Sequence, residues 1–502
     1  MRRSFATVVL LSSFLTSTYA EPLPANAGRE VLVSRDTETN DTCVEIAKAV
    51  SRASAVFWPV DLTGNYVQDN FHWASSSSQL SACSVEPGNA QDVSIILKIL
   101  GKNKTPFAVK GGGHASNPGF SSTKGVQISM SRFDKVVYNA GKNTVDVGPG
   151  LIWDDVYEAL EPFGVNVVGG RVTGVGVAGF TLGGGYSWLT NQRGLTVDNI
   201  ESFEVVLPSG QITTVSDASN PDLFFALRGG FNNFGIVTKF TLKTYPQGKV
   251  WGGTLTILGN FTEEVNAAVV KYSKDVTDPK AVILPTYNFV PALGTVAISV
   301  LMFYDGPTQP AGYFDDFLAI PALSKDVSSR SFLSLVKSSP SDATLGARGI
   351  FNTVAVETYD DAFLKAVTNE TFFWGRKLSL AGASLISYDI EPFLPSILSH
   401  GSNSAYPPIR SKAYLPTNLY FAWIPELSDD TMHDAIRQST ATLTAIAKAQ
   451  GQKIDNAPLY GNYAMFGTPV SKIYGANEQR LRDIKRKVDP ENVMGLAGGW
   501  KL

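Results

Sequence analysis

Residues 169–185 hold eight glycines in seventeen positions. No ordinary helix or strand carries that density, because each glycine costs roughly 0.5–1 kcal/mol in an element interior. The main chain there must run close to something, either a ligand or another chain segment. Two more clusters lie upstream, Lys110-Gly-Gly-Gly-His114 and Gly148-Pro-Gly150. Without a Cβ in the way, main-chain N–H groups can approach a phosphate or a flat ring directly. One such cluster would read as a tight turn. Three between Lys110 and Gly185 favour a large ligand with a pyrophosphate. Neither a Walker A loop nor a G-x-G-x-x-G opening a βαβ unit is present, so glycine alone does not name that ligand. His114 closes the first cluster. A lone histidine is most often a surface or core-polar residue. Here it stands where a ligand would lie, and neutral imidazole is a competent nucleophile once a neighbour takes its proton.

The surrounding pattern predicts a helix from Thr42, where Thr42-x-x-Glu45 reads as a capping box. A second helix is predicted over 90–100, capped by Asn89 and stopped by Gly101, followed by a strand at Phe107–Lys110 that feeds the glycine cluster. Strands are expected at 125–130, 135–138 and 144–147, a helix at Trp153–Leu160, and strands at 201–207 and 236–242. Near Tyr245 the glycine clusters stop. Alternating runs at 295–304 and 419–424 then announce antiparallel strands, and an amphipathic helix over 429–450 is expected to be capped by Ser428. A second α+β domain is read over 249–455, with a tail of different texture from 456.

With 502 residues, 44% apolar and 17% charged, the chain is globular and long enough for two or three domains. The net charge of −3 is spread without a basic stripe, which argues against a nucleic-acid partner. Residues 1–20 read as a signal peptide: Arg2 and Arg3, an apolar stretch over 8–15, and a cleavage site after Ala20. That stretch is too short for a membrane span of about 20 residues, and the chain is expected to be secreted. In an oxidising compartment the only two cysteines, Cys43 and Cys83, are expected to form a disulfide. Sequons at Asn40, Asn103, Asn260 and Asn369 fit secretion. The four histidines (His72, His114, His400, His433) show no metal-ligand spacing, which speaks against a metal hydrolase.

Taken in order, Lys110-Gly-Gly-Gly-His114, Val147-Gly-Pro-Gly150 with Trp153, Gly183-Gly-Gly185, Gly194-Leu-Thr-Val-Asp198-Asn199 and Phe234-Gly-Ile-Val-Thr238 resemble the FAD-binding domain of the vanillyl-alcohol-oxidase and para-cresol-methylhydroxylase (PCMH) superfamily. The tail, with Tyr460-Gly-Asn462-Tyr463, Tyr474, Asn477, Arg480, Lys485 and Asp489-Pro490, resembles the berberine-bridge-enzyme-like branch. The ending Gly498-Gly-Trp-Lys-Leu502 is similar to fungal FAD-linked oxidoreductases of secondary metabolism.

This resemblance implies an α+β chain: an N-terminal segment over 21–78, a PCMH-type FAD-binding domain of two α/β subdomains over 79–248, a substrate domain with a helix-covered antiparallel sheet over 249–455, and a segment over 456–502 returning to the FAD domain. By the same resemblance, His114 bonds the flavin and Gly111, Gly112 and Gly113 cradle its pyrophosphate. Gly148, Gly150, Gly183, Gly184 and Gly185 line the dinucleotide and ring. Ile236 and Val237 lie near the adenosine, and Asn462 near the flavin. Tyr463 and Tyr460 are the candidate bases or orienters near substrate, each needing a cation to act near neutral pH. Many relatives add a cysteine link at the position of Val172, so a single link through His114 is expected, which counts against a sugar substrate. A small residue at Val175 is typical of the oxidases. The implied reaction is oxidation of an alcohol or amine in a small metabolite, with O2 going to H2O2, by a monomer. The alternatives are an oxidative cyclase, a carbohydrate oxidase, and a non-catalytic flavin-binding protein.

Overall fold

Three sheets carry the chain in the computed structural model, which describes residues 37–339 and 341–502. The signal peptide expected at 1–20 lies outside the described residues. The first sheet contains β1 (Ala55–Phe57), β2 (Cys83–Glu86), β3 (Phe107–Lys110) and β4 (Val126–Ser129) in the order β1-β2-β4-β3. β4 runs parallel to β2 and β3, whereas β1 is antiparallel to β2. Parallel strands need a crossover, and the helix Ala90–Asn103 supplies it between β2 and β3, which flank β4. Its Val93, Ile96, Leu97 and Leu100, one stripe at helical spacing, are wholly buried. Asn89 caps it as expected, accepting from the Asp92 N–H. Gly101 does not stop it. The helix runs on to Asn103 and ends at a left-handed Lys104, while Gly101 gives room to Val493, 3.0 Å from where a Cβ would stand.

The N-terminal helix spans Thr37–Ala49, so Thr42 lies inside it and makes no capping box. Tertiary contacts claim those side chains instead: Thr42 Oγ1 meets Thr105 Oγ1 at 2.9 Å, and Glu45 accepts from Lys102 and Asn103. The Cys43–Cys83 disulfide is formed, fully buried, and ties this helix to the start of β2. It closes a separation of 40 residues. Replacing both cysteines by serine is expected to cost about 4 kcal/mol through the loop-entropy effect, read as a lower denaturant midpoint with a somewhat steeper slope, because the unlinked unfolded chain exposes more surface.

A second, antiparallel sheet contains β5 (Val136–Asn139), β6 (Thr144–Val147), β8 (Ile200–Val206), β9 (Ile212–Ser216) and β10 (Ile236–Lys243), ordered β5-β6-β10-β8-β9. β7 (Val165–Asn166) and β11 (Tyr245–Pro246) form a short ladder of their own. The third sheet uses β12 (Val250–Leu258), β13 (Ala281–Val290), β14 (Thr295–Tyr304), β15 (Ser324–Arg330), β16 (Arg348–Val356), β17 (Ala383–Asp389) and β18 (Leu415–Trp423). All its pairings are antiparallel, in the order β15-β12-β14-β13-β17-β18-β16. In β14, Val296, Ile298 and Val300 are fully buried while Thr295, Ala297 and Ser299 are half-buried, the period-2 pattern of the sequence made physical. The strand expected at 419–424 begins earlier, at Leu415, because its pairing with β16 extends to Val356.

The helices Asp361–Ser379 and Asp429–Ala449 cover this sheet. Ser428 precedes the latter but does not cap it, its hydroxyl donating instead to the Ala381 carbonyl at 2.7 Å. Within 169–185 a six-residue helix, Val177–Leu182, forms despite the glycine density, because Gly179 points into open space and Val177 and Leu182 are buried. The segment after 456 touches the first sheet: Ala497 bridges to Phe107, and Asn117 Nδ2 donates to the Ala464 carbonyl at 2.9 Å.

Candidate active site

β3 ends at Lys110 and delivers the glycine loop. Gly113 takes a left-handed φ of 72°, which a side chain would resist. Gly112 lies against Gly176, where a Cβ would come within 2.5 Å of the Gly176 Cα. Two backbones thus meet with nothing between them. Gly112→Ala is expected to push them apart, lowering the flavin-to-protein ratio of the purified chain and costing roughly 1–3 kcal/mol, read by absorbance and thermal unfolding. Among the described residues, the main-chain N–H groups of Gly111, Gly112, Gly113 and His114 donate to no protein acceptor. Four consecutive free N–H groups form the kind of concavity that takes an anion.

The other glycines answer chiefly to protein neighbours. A Cβ on Gly148 would meet the Phe133 carbonyl at 2.0 Å, and one on Gly150 the Met130 carbonyl at 2.2 Å. Gly183, Gly184 and Gly185 make room for Asn462, Tyr406 and Thr196. Ile236 and Val237, at the start of β10, are buried in two different cores.

His114 is half-buried and keeps a buried Nε2 without a partner. Burial pushes its pKa down to about 4, so the imidazole is neutral through the physiological range. Its ring stacks on Trp73 at 4.4 Å between centroids, 15° from parallel, with Phe351 of β16 at 6.4 Å. Phe351 in turn lies 6.3 Å from the Tyr463 ring.

Tyr463 belongs to a closed ring of three polar groups. Its hydroxyl donates to Glu391 Oε1 at 2.8 Å and accepts from Arg171 Nη2 at 2.8 Å. Arg171 Nη1 stands 2.8 Å from Glu391 Oε2, with both side chains almost fully buried. Burial and then the Glu391 charge raise the Tyr463 pKa well above the phenol range, with Arg171 opposing, so this phenol holds its proton. Burial opposes the Arg171 charge most strongly, but Glu391 together with Tyr463 and Tyr460 outweighs it and keeps the guanidinium ionised. Tyr460 is 2% exposed, and its hydroxyl accepts from Asn462 Nδ2 at 2.8 Å and from the Gly185 N–H at 3.2 Å. Burial pushes its pKa up to about 12. Tyr186, Tyr406 and Tyr463 surround it. Asp389, at the end of β17, is raised to about 6 by burial against the Asn418 amide that pulls it down.

The structure therefore brings His114, Tyr460, Asn462 and Tyr463 into one neighbourhood through Phe351 and Gly183. It adds Arg171, Glu391 and Trp73, which sequence reasoning missed. Arg171 had a signal, being the single charged residue in 169–185. Glu391, two residues past β17, and Trp73 had none. No group of three or more histidine, cysteine, aspartate or glutamate side chains among the described residues could hold a metal.

The free N–H groups of the glycine loop and the orphaned nitrogen of His114 fit a large anionic ring-bearing cofactor. Two family models match the chain: the FAD binding domain over 81–216, and the berberine and berberine-like segment over 459–497. An uncharacterized FAD-linked oxidoreductase of Arthroderma benhamiae is 38% identical over 457 residues, covering 87% of this chain and 90% of its own. The FAD-dependent monooxygenase drtC of Aspergillus calidoustus is 30% identical, covering 99% of this chain and 96% of its own. The solved structure of glucooligosaccharide oxidase from Acremonium strictum, with its 6-S-cysteinyl, 8α-N1-histidyl FAD, superposes with a TM-score of 0.74 at 18% identity, covering 90% of this chain and 97% of that one. The chain belongs to the berberine-bridge-enzyme-like family of FAD-linked oxidoreductases.

Proposed function

We propose that this enzyme carries FAD on His114 through one covalent bond and oxidises an alcohol or amine of a small secondary metabolite, passing the electrons to O2 as hydrogen peroxide. The observation that carries the reading is the buried ring of Arg171, Tyr463 and Glu391, one aromatic ring away from His114. When bound, FAD supplies the two-electron acceptor. The protein supplies position and a proton acceptor. Glu391 is the acceptor: its Oε1 already takes a hydrogen bond from Tyr463, so a substrate hydroxyl or amine donating to the Tyr463 oxygen would pass its proton on through that bond. Arg171 is the cation the tyrosine reading lacked. It donates to Tyr463 and pairs with Glu391, so it ties the two together. Tyr463 is thus an orienter that relays through Glu391, and Tyr460 a packed wall with Asn462.

Single attachment is supported by the cysteine count. Both cysteines of the chain are bonded to each other, which leaves none for a second flavin link. The position expected for a second link is Val172, half-buried beside Arg171. This sets the chain apart from the doubly linked sugar oxidase and favours a non-carbohydrate substrate. We further read 79–248 as the FAD domain, 249–455 as the substrate domain and 456–502 as a returning segment, since all strands of the third sheet fall between 250 and 423. Secretion follows from residues 1–20 and agrees with the disulfide. Glycans are expected at exposed Asn40, Asn260 and Asn369. One at Asn103 would cost its bonds to Glu45 and Thr42. No described helix is long and apolar enough to cross a membrane.

The test reduces the purified enzyme chemically and mixes it with oxygenated buffer. An oxidase reoxidises faster than free reduced FAD and releases one peroxide per flavin. Reoxidation no faster than free flavin would overturn the oxidase reading. The name of the Aspergillus relative makes monooxygenation the competing reaction, and isotopically labelled O2 appearing in product rather than peroxide would establish it.

A further inference from the structure

Among the described residues, no side chain hydrogen-bonds the His114 ring. Its Nε2 is buried and unpaired, and the other contact runs to its own backbone. A histidine is ordinarily oriented by the hydrogen bond its second nitrogen makes. Here a flat surface takes that part. The Trp73 indole lies face-on to the imidazole, and Phe351 and Tyr420 close on the indole at 5.6 Å and 5.1 Å, so it has no room to turn. The backbone is pinned on both sides. The Trp73 N–H donates to the Gly113 carbonyl at 3.0 Å, one residue before His114, and the Trp73 carbonyl accepts from Gly346 at 2.9 Å, just before β16. Ser77 Oγ donates to the Ala115 carbonyl, and Ser76 Oγ to the Gly349 carbonyl. Residues 73–77 therefore form a strap between the glycine loop and the third sheet, with the indole as its plate.

We propose that Trp73 is a positioning residue for flavin attachment, holding the His114 ring face-on so that one nitrogen stays aimed at the flavin methyl carbon. The inference rests on His114 being the attachment point. In attachment, a C–H bond of the flavin 8α-methyl is replaced by a C–N bond to imidazole. The methyl proton and the imidazole N–H proton leave, the two electrons reduce the same flavin, and O2 removes them as hydrogen peroxide. Nothing in this step needs Trp73 as a reactant. What it needs is a ring that does not rotate away.

The test uses the full chain produced under riboflavin limitation, then given FAD in air. Covalent flavin is followed as fluorescence in the acid-precipitated pellet over time, and total bound flavin by absorbance. Trp73→Ala and Trp73→Leu are expected to bind FAD but attach it about tenfold more slowly, the scale of a lost aromatic stack. Trp73→Phe keeps the plate while removing the indole N–H, and is expected to attach at close to the wild-type rate. Wild-type attachment in W73A or W73L overturns the inference, as does W73F failing as badly as W73A. Covalent flavin in His114→Ala would instead sink the parent reading, an outcome separable from either.

Discussion

Replacing His114 by alanine is expected to turn a yellow acid precipitate colourless. In the wild-type chain the flavin is expected to stay with the pelleted protein. In H114A it is expected to remain wholly in the supernatant, while the native variant still binds FAD through the glycine loop. The physical basis is local. On the proposed reading, the loop's four free N–H groups would take the pyrophosphate without His114, so affinity is expected to be weakened rather than abolished. Covalent retention would depend on one neutral nucleophile, the His114 imidazole, whose pKa burial pushes down to about 4. Fluorescence of the pellet on a denaturing gel reads the outcome. A fluorescent H114A band would move the anchor to another residue.

The second large effect is expected at Glu391. Glu391→Ala strands Arg171, 7% exposed, without its counter-charge, and breaking a buried pair from one side costs roughly 3–5 kcal/mol. Chemical denaturation should show that loss. Flavin reduction by substrate should also slow by about 10²–10⁴, the usual contribution of a proton acceptor. A double variant separates the two effects. Arg171→Met with Glu391→Leu removes both charges, so most of the stability is expected to return while reduction stays slow. Restored stability with restored reduction would mean that Glu391 is purely structural and that the proton goes elsewhere.

How much of this was legible in the sequence depended on the range of the interaction. Local periodicity carried β3, β14 and the helix Trp153–Leu160, whose bounds follow from alternation or a single apolar stripe. Helix ends fared worse. Thr42, Gly101 and Ser428 all had the chemistry of a cap or stop, but Thr105, Val493 and the Ala381 carbonyl, distant in sequence, took their side chains or their space. The glycines were correctly read as marking close approach. Which neighbour approaches was not readable, and for Gly148, Gly150 and 183–185 a protein neighbour faces the missing side chain.

The sequence by itself carried the class through a family resemblance, in the order of the glycine clusters with His114 and of the tail motifs, and it held only two cysteines, Cys43 and Cys83. The tertiary structure alone decided the site. Arg171, Glu391 and Tyr463 are 220 and 72 residues apart along the chain (391 − 171 and 463 − 391) and share one buried ring, while Trp73 reaches His114 from a strap 41 residues earlier (114 − 73). Spacing within an element is written in the order of residues. Contact between elements is written only in how the sheets pack, and that is where His114 acquires its plate and Tyr463 its cation.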